Sequence, residues 1–299
     1  MRNESRILAL VTILGLVPGL LQAQGGGWAD VDRALGRPGK PQPGEVEKYS
    51  FPRTDLRVTV GEVTVKPALA LGSWVAFKRV SAGAKEAIAM GDLVLTEAEV
   101  PEVVSKLQSG GIHQTALHNH LQRETPSVMY LHIEGRGDPA RLAEAIHVAL
   151  GATRTPPAAP ASPSAPFPLD TAQLAKALGH GGSVTGGVYQ VSVPRAEPVR
   201  MDGIEIPPSM GVATAINFQP TGPGKAAVTG DFVLTAAEVN PVIRALRDGK
   251  IAVTALHSHM LDEDPRLFFM HFWANDDATM LARTLRTAID HMNVRPGGA

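Results

Sequence analysis

The sequence predicts an α+β fold that occurs twice in tandem, each copy an antiparallel sheet with helices and a β-hairpin that carries histidines. Three observations predict it. Residues 91–150 align without gaps on residues 230–289, and 24 of these 60 positions are identical. Stretches in which apolar and polar residues alternate indicate strands, and helix-capping patterns lie between them. The repeat spans roughly 120 residues, which is the size of a domain and not of a solenoid unit.

The elements of one copy follow in order. A short helix begins near Trp28, or near Asp170 in the second copy, and strands follow at residues 56–65 and 73–77. A further short strand at 92–96 leads into a helix at 97–108, because Thr96 and Glu99 have the spacing of a capping box. Thr235 and Glu238 repeat this pattern in the second copy. Two histidine-bearing strands and a last helix at 139–149 complete the copy.

The N-terminal residues have the pattern of a signal peptide. Arg2 and Arg6 precede an apolar run at 7–21, and a cleavage site after Ala23 or Gln24 follows. The run is shorter than the roughly 20 residues of a membrane span, although an uncleaved anchor is the alternative. We therefore expect a signal peptide at 1–24, a first domain at 25–150, a Pro/Ala-rich linker at 151–168 and a second domain at 169–299. The mature protein should be periplasmic or secreted by a bacterium, without a stable membrane anchor.

Composition narrows the function. The 28 basic and 29 acidic residues give a net charge of -1, which does not indicate a nucleic-acid partner. Aromatic residues make up 5% of the chain, too few for a base-stacking surface. The chain has no cysteine, which excludes disulfides, thiolate catalysis and cysteine-ligated metals. The partner expected is a small molecule of unknown identity, and the sequence does not define an oligomeric state.

Six of the ten histidines recur with one spacing in the two copies. They are His118, His120 and His132 in the first copy and His257, His259 and His271 in the second. Residues two apart on a strand lie on one face of a sheet. If the hairpin is centred at Thr125, His132 lies opposite His118 and His120 lies opposite Tyr130. All three imidazoles of a copy then project from one face, and one histidine site is expected in each domain.

Three imidazoles on one face could hold a divalent transition metal, of which zinc is the first expectation and copper, iron or nickel are alternatives. Glu124 and Glu263 complete an H-x-H-x3-E pattern in both copies and are candidate fourth ligands. Two other interpretations stay open: a polar ligand site without metal, and histidines that only pack in the core. Asp92 and Asp231 each follow a glycine and are interpreted as turn residues.

The motifs "GDLVLTEAEV" and "TALHNHLQRETPSVMYLHIEG", with their second copies, resemble the LppY/LpqO family. This resemblance implies an exported bacterial protein with tandem copies of a domain of unknown function, and it implies no reaction. The H-x-H-x3-E pattern is also similar to the metal motif of cupins. Cupins are all-β proteins, whereas helices interrupt each copy here, so this similarity ranks second.

The sequence leads to one functional hypothesis and two alternatives. The hypothesis is an exported metal-binding protein, either a metal-dependent hydrolase or an oxidase. The alternatives are a periplasmic protein that binds a small ligand and an envelope protein without catalysis. No residue is assigned a catalytic role at this stage.

Overall fold

The computed structural model describes residues 27–158 and 166–298. Within these ranges each repeat is an α+β unit with antiparallel sheets, as predicted. The expected signal peptide lies outside the described residues, and so do residues 159–165 of the expected linker. The elements of the first repeat are α1 (Ala29–Leu35), β1 (Lys40–Gln42), β2 (Val46–Pro52), β3 (Thr59–Val60), β4 (Val63–Thr64), α2 (Pro67–Ala70), β5 (Gly72–Arg79), β6 (Ala87–Thr96), α3 (Val100–Ser109), β7 (His113–His118), β8 (Glu124–Thr125), β9 (Val128–Gly137) and α4 (Pro139–Leu150).

The second repeat has the same order, with a 3₁₀ turn at Pro208–Met210 in the place of α2. Its elements are α5 (Thr171–Leu178), β10 (Gly182–Thr185), β11 (Val188–Pro194), β12 (Val199–Met201), β13 (Ile204–Ile206), β14 (Ala213–Gly222), β15 (Lys225–Leu234), α6 (Ala236–Asp248), β16 (Ala252–His257), β17 (Glu263–Asp264), β18 (Phe268–Asp277) and α7 (Ala278–Ile289).

Each repeat has one large sheet of six strands and one small sheet of three. The large sheets have the orders β1-β2-β5-β6-β9-β7 and β10-β11-β14-β15-β18-β16, and all their pairs are antiparallel. The small sheets have the orders β4-β3-β8 and β13-β12-β17. Because the two orders correspond strand by strand, the repeats have one topology. No helix within the described ranges is long and apolar enough to cross a membrane.

Helices cover one face of each large sheet. Their starts follow local rules: Asp138 accepts a hydrogen bond from the Arg141 N–H at 3.0 Å, and Pro139 lies in the first turn of α4. In the second repeat, Thr235 and Glu238 form the predicted capping box of α6. The predicted start of α3 at residue 97 is wrong, because α3 begins at Val100 and Thr96 still belongs to β6.

The uncovered faces of the two large sheets pack against each other. Two apolar clusters contain side chains from both repeats: one includes Met90, Met260 and Phe269, and the other includes Val94, Tyr130 and Ala227. The helices lie on the outer faces, over separate cores. The layers therefore run helix, sheet, sheet, helix, and residues on the inner sheet faces are enclosed by both repeats.

A buried arginine joins the sheet to the start of the following helix in each repeat. The Arg53 side chain is 0% exposed and donates hydrogen bonds to the Val94 carbonyl at 2.7 Å, to Glu99 at 2.9 Å and to Asp55 at 2.8 Å. Arg195 makes the corresponding bonds to Val233, Glu238 and Glu197. The two glutamates that the sequence assigns to helix capping are therefore also the partners of these guanidinium groups.

We expect Arg53→Ala to lower the free energy of unfolding by about 1.5–3 kcal/mol, because it removes the charged hydrogen bonds to the Val94 carbonyl and to the partly buried carboxylate of Glu99. Urea denaturation would measure the change. Arg136→Ala is the matched control, since Arg136 and Glu86 form an ion pair with side chains 46% and 54% exposed. Its loss should be below about 1 kcal/mol. Equal losses in the two variants would contradict the structural role of Arg53.

Candidate metal centre

The histidines of each repeat lie on the inner sheet face, but in a register two residues from the one predicted. His132 pairs with Ala116 and His118 pairs with Tyr130, so the predicted pairing of His118 with His132 is wrong. The residues between the two strands do not form a tight hairpin. Glu124 and Thr125 instead form the separate strand β8, in which Glu124 pairs with Val60 and Thr125 pairs with Thr59. A shift of two residues keeps every side chain on its predicted face.

The second repeat reproduces this arrangement. His271 pairs with Ala255 and His257 pairs with Phe269, and the ladder is irregular between Val253 and Ala255. The first repeat has the same irregularity between Gln114 and Ala116. His120 and His259 follow the ends of β7 and β16, two residues after the last histidine of each strand.

The six imidazoles form one cluster between the two sheets. The ring centroids of His118 and His257 are 3.6 Å apart. The other two close contacts between repeats join His120 to His271 at 3.8 Å and His132 to His259 at 3.6 Å. His120 corresponds to His259 in the repeat alignment, and His271 corresponds to His132, so the first of these contacts is the symmetry equivalent of the second. This equivalence is what a pseudo-twofold axis near His118 and His257 requires. The expectation of two separate sites, one in each domain, is therefore wrong, because the inner faces of both sheets meet at the histidines.

Two aspartates that the sequence analysis assigned to turns adjoin this cluster. Asp92 lies in the middle of β6 and pairs directly with His132 of β9, and Asp231 pairs with His271 in the same way. The strand β6 begins at Ala87, five residues before the predicted start, so the turn interpretation of Asp92 is wrong. One pattern in the sequence could have indicated a mid-strand position for these aspartates. The same Gly-Asp pair occurs in both copies, and mostly apolar residues lie on both sides of it.

The carboxylates lie near the imidazole nitrogens. Asp92 oxygens are 3.8 Å from His120 Nε2 and 3.9 Å from His132 Nε2. In the second repeat an Asp231 oxygen is 3.6 Å from His259 Nε2. These separations are too long for hydrogen bonds, and they are below twice a metal–ligand bond of about 2.0–2.2 Å. An ion between each pair of groups would thus be within bonding distance of both.

The polar atoms of the cluster lack protein partners. Nine buried side-chain polar atoms have no hydrogen-bond partner within the described part of the chain, and eight of them belong to this cluster. The eight are Nε2 of His118, His120, His132, His257, His259 and His271, and Oδ1 of Asp92 and Asp231. A buried polar atom without a partner costs about 1–3 kcal/mol. So many unpartnered polar atoms in one place fit an ion that binds them together.

The orientation of three imidazoles favours metal binding through Nε2. The Nδ1 atom of His271 is 2.9 Å from the Gly230 carbonyl oxygen. His118 Nδ1 and His257 Nδ1 are each 3.3 Å from the carbonyl oxygen of the next residue. A carbonyl only accepts, so the proton of each neutral ring belongs on Nδ1. The Nε2 lone pair is then free for a metal, which is the usual arrangement of metal-binding histidines.

Burial keeps the six imidazoles of the cluster uncharged at neutral pH. It lowers the pKa of every one of the six histidines, and nearby imidazoles add to this effect for all of them except His257. The pKa of His118 falls to about 3. Burial raises the pKa of Asp92 to about 7, against the opposing charge of Lys48, and it raises the pKa of Asp231 well above its usual value. Neutral imidazoles are the form that a metal ion requires.

The ligand atoms fall into two overlapping groups within which every pair lies within 4.8 Å. One group is His118, His120 and His132, and the other is His118, His257, His259 and His271. No carboxylate belongs to these groups: Glu124 and Glu263 lie outside them, and so do Asp92 and Asp231. The two aspartates differ from the two glutamates in that their oxygens lie within 3.9 Å of histidine nitrogens of the cluster. Glu124 is 3.4 Å from the Asn119 amide, and Glu263 accepts hydrogen bonds from the Leu267 N–H and from Arg266.

A cavity of about 20 Å³ adjoins the cluster on one side, and it has room for about one water molecule. His132 and His259 line it, together with Met90, Met210 and Met260. The cavity is thus lined by residues of both repeats.

Comparison with known proteins assigns the chain to a family. Residues 29–152 and 172–291 both match the model of a Domain of Unknown Function (DUF1259), and together they span more than half of the chain. The chain therefore belongs to this family and contains two tandem copies of its domain. No curated protein matches the chain.

Two solved structures show a distant likeness. One is the trimeric bacterial microcompartment shell protein PduB, 14% identical over 85% of this chain and 89% of that chain, with a TM-score of 0.24. The other is EtuB from Clostridium kluyveri, 9% identical over 84% of this chain and 88% of that chain, with a TM-score of 0.23. TM-scores this low support no inference about assembly or function.

The pKa directions predict that the metal-free protein loses stability as the pH falls below about 6.5. Unfolded histidines take up protons near this pH, whereas the buried histidines resist protonation, so acid favours the unfolded state. Asp92 acts in the opposite direction between about pH 3.9 and 7, because the folded state retains its proton. The raised pKa of Asp231 has an effect of the same sign. The six histidines outnumber the two aspartates, so the net effect is destabilising.

Urea midpoints at pH 7.5 and pH 5, recorded in the presence of a chelator, would measure this change. His147→Gln, at an exposed position of α4, should have the same pH profile as the unchanged protein. A midpoint that is constant or higher at pH 5 would contradict the prediction.

Proposed function

We propose that the protein binds transition-metal ions at a centre built jointly by both repeats. The ligands would be the six histidines with Asp92 and Asp231. The observation that carries this proposal is the set of eight buried, unpartnered polar atoms in one cluster. Each repeat then supplies three imidazoles and one carboxylate, and His118 belongs to both ligand groups.

The donor set fits a divalent transition metal, and zinc remains the first expectation because imidazole and carboxylate are its common ligands. Copper, iron and nickel also bind imidazole. An ion held there would supply Lewis-acid or redox chemistry, which hydrolases and oxidases use.

The chain itself would bind the metal, orient the histidine rings and shield part of the centre from water. Carbonyl oxygens at Gly230, Asn119 and Ser258 fix the ring orientation of three histidines. The sheets bury His132, His259 and His271, whereas His118, His120 and His257 are partly exposed and form the side of the cluster that is nearer to solvent. A small reactant would therefore approach the centre from the side of these three histidines.

We propose also that this family is the exported LppY/LpqO family that the motifs resemble, and that the protein is periplasmic or secreted. The pattern of residues 1–24 supports export. Expression of the full chain in a bacterium should yield mature protein outside the cytoplasm, with a new N-terminus near residue 24 or 25. N-terminal sequencing of the fractionated protein would measure this. A chain that keeps residues 1–24 in the cytoplasmic fraction would disprove export.

Metal content provides the central test. Protein purified without an affinity tag and equilibrated with zinc should bind up to two ions per chain, measured by elemental mass spectrometry. His118→Ala removes a ligand from both groups and should lower the content more than His120→Ala, which removes a ligand from one. His147→Ala is the control and should change nothing. The proposal would be overturned if the unchanged protein, equilibrated with zinc, copper or iron, contained no more metal than the background level of the measurement.

The same measurement, made as a competition titration, decides which carboxylates participate. Asp92→Asn and Asp231→Asn should each weaken metal binding by about 10- to 100-fold, the range expected for a group that tunes or supplements the imidazoles. Glu124→Gln should change it by less than about twofold, since the Glu124 carboxylate contacts the Asn119 amide and, unlike Asp92 and Asp231, has no close contact with a histidine of the cluster. The reverse order would restore the sequence-based assignment of Glu124.

A further inference from the structure

The turn that follows the histidines is filled by an arginine in one repeat and not in the other. In the second repeat, the Arg266 guanidinium folds back over residues 258–263. Its Nη1 donates to the Leu261 carbonyl at 2.9 Å, to Glu263 Oε2 at 3.2 Å and to the Met260 carbonyl at 3.4 Å. Its Nη2 donates to Ser258 Oγ at 3.3 Å. One guanidinium group thus satisfies two carbonyls, a carboxylate and a hydroxyl.

The first repeat has the same turn with Ser127 at the position of Arg266. The two backbones correspond, because Glu124 pairs with Val60 as Glu263 pairs with Met201. A serine side chain is too short to reach the acceptors. In its place lies an open groove of about 400 Å³, lined by Asn119, Gln122, Glu124 and Ser127 and by Thr254 of the other repeat.

The groove has the counterparts of the acceptors that bind Arg266. They are the carbonyls of Leu121 and Gln122 and the carboxylate of Glu124, which makes no ion pair with a described residue. A guanidinium is planar and presents five N–H donors in a fixed arrangement, so acceptors placed for one guanidinium suit another. Gln122 Nε2 donates to the Thr254 carbonyl at 2.8 Å and links the groove to the second repeat.

Arg123 selects further among guanidinium compounds. It lines the groove and is exposed, whereas its counterpart in the second repeat is Asp262. A ligand with a single positive charge would be repelled by Arg123, and a ligand that also has a carboxylate would be attracted. We propose that the groove binds a small zwitterionic guanidinium compound, of the class of free arginine, with the guanidinium at Glu124 and the carboxylate near Arg123.

Calorimetric titration of the whole chain tests this with three probes. L-Arginine should bind with one site per chain. Agmatine, which lacks the carboxylate, and citrulline, in which a neutral urea replaces the guanidinium, should each bind at least tenfold more weakly. No binding of L-arginine, or equal binding of all three probes, would overturn the proposal.

The repeats provide matched variants. Ser127→Arg places a tethered guanidinium in the groove and should lower the affinity for L-arginine at least tenfold. Arg266→Ser should open the corresponding groove of the second repeat and leave binding at the first unchanged. A single cooperative thermal transition and an unchanged metal content would show that both variants fold, even if the loss of the Arg266 bonds lowers the midpoint of that variant. Unchanged arginine binding by a folded Ser127→Arg variant would place the ligand elsewhere and reject the groove.

The proposal is independent of the metal centre. Loss of metal binding with arginine binding intact would reject only the metal proposal, and the converse result would reject only the groove.

Discussion

The face-to-face packing of the two large sheets is the constraint on which the rest of the structure depends. Helices cover only the outer faces, so each repeat alone would leave an apolar sheet face in water. Packing the inner faces together buries Met90, Phe269 and their neighbours from both repeats. It also forces the polar residues of those faces, the six histidines and two aspartates, into one enclosed volume. This packing removes most of the water around these residues. The pKa values of the histidines are lowered because of this burial.

The sequence predicts the parts of the fold that local patterns determine. The capping pair Thr235 and Glu238 and the Asp138-Pro139 start of α4 are visible in the residues themselves. The repeat alignment also predicts that the two copies share one topology, and alternation places the histidines on one face. The register was predicted wrongly because a symmetric hairpin was assumed. Nothing in the residues near Thr125 shows that they pair with β3, which lies more than sixty residues earlier in the chain.

The sequence analysis named the six histidines of the candidate site, but it did not include the two aspartates that adjoin them. Asp92 and Asp231 follow glycines, and local rules assign such residues to turns. Their position in mid-strand depends on the start of β6 at Ala87, which no strong local pattern marks. The meeting of the two triads could not be predicted either, because it depends on how two domains pack and not on the residues within one of them.

The duplicated fold is also uneven in its details. Lys48 lies over Trp74 at 3.9 Å and is close enough to Asp92 to oppose the rise of that carboxyl's pKa. The corresponding strand position in the second repeat, counted from the buried arginines, is Gln190, which donates to the Ala68 carbonyl at 2.9 Å. In a symmetric dimer of separate chains, every substitution occurs twice and both halves change together. Since both repeats belong to one chain, a position such as Ser127 or Lys48 can differ from its counterpart in the other repeat. The duplication thus allows the symmetric histidine cluster to coexist with neighbouring positions that differ between the repeats.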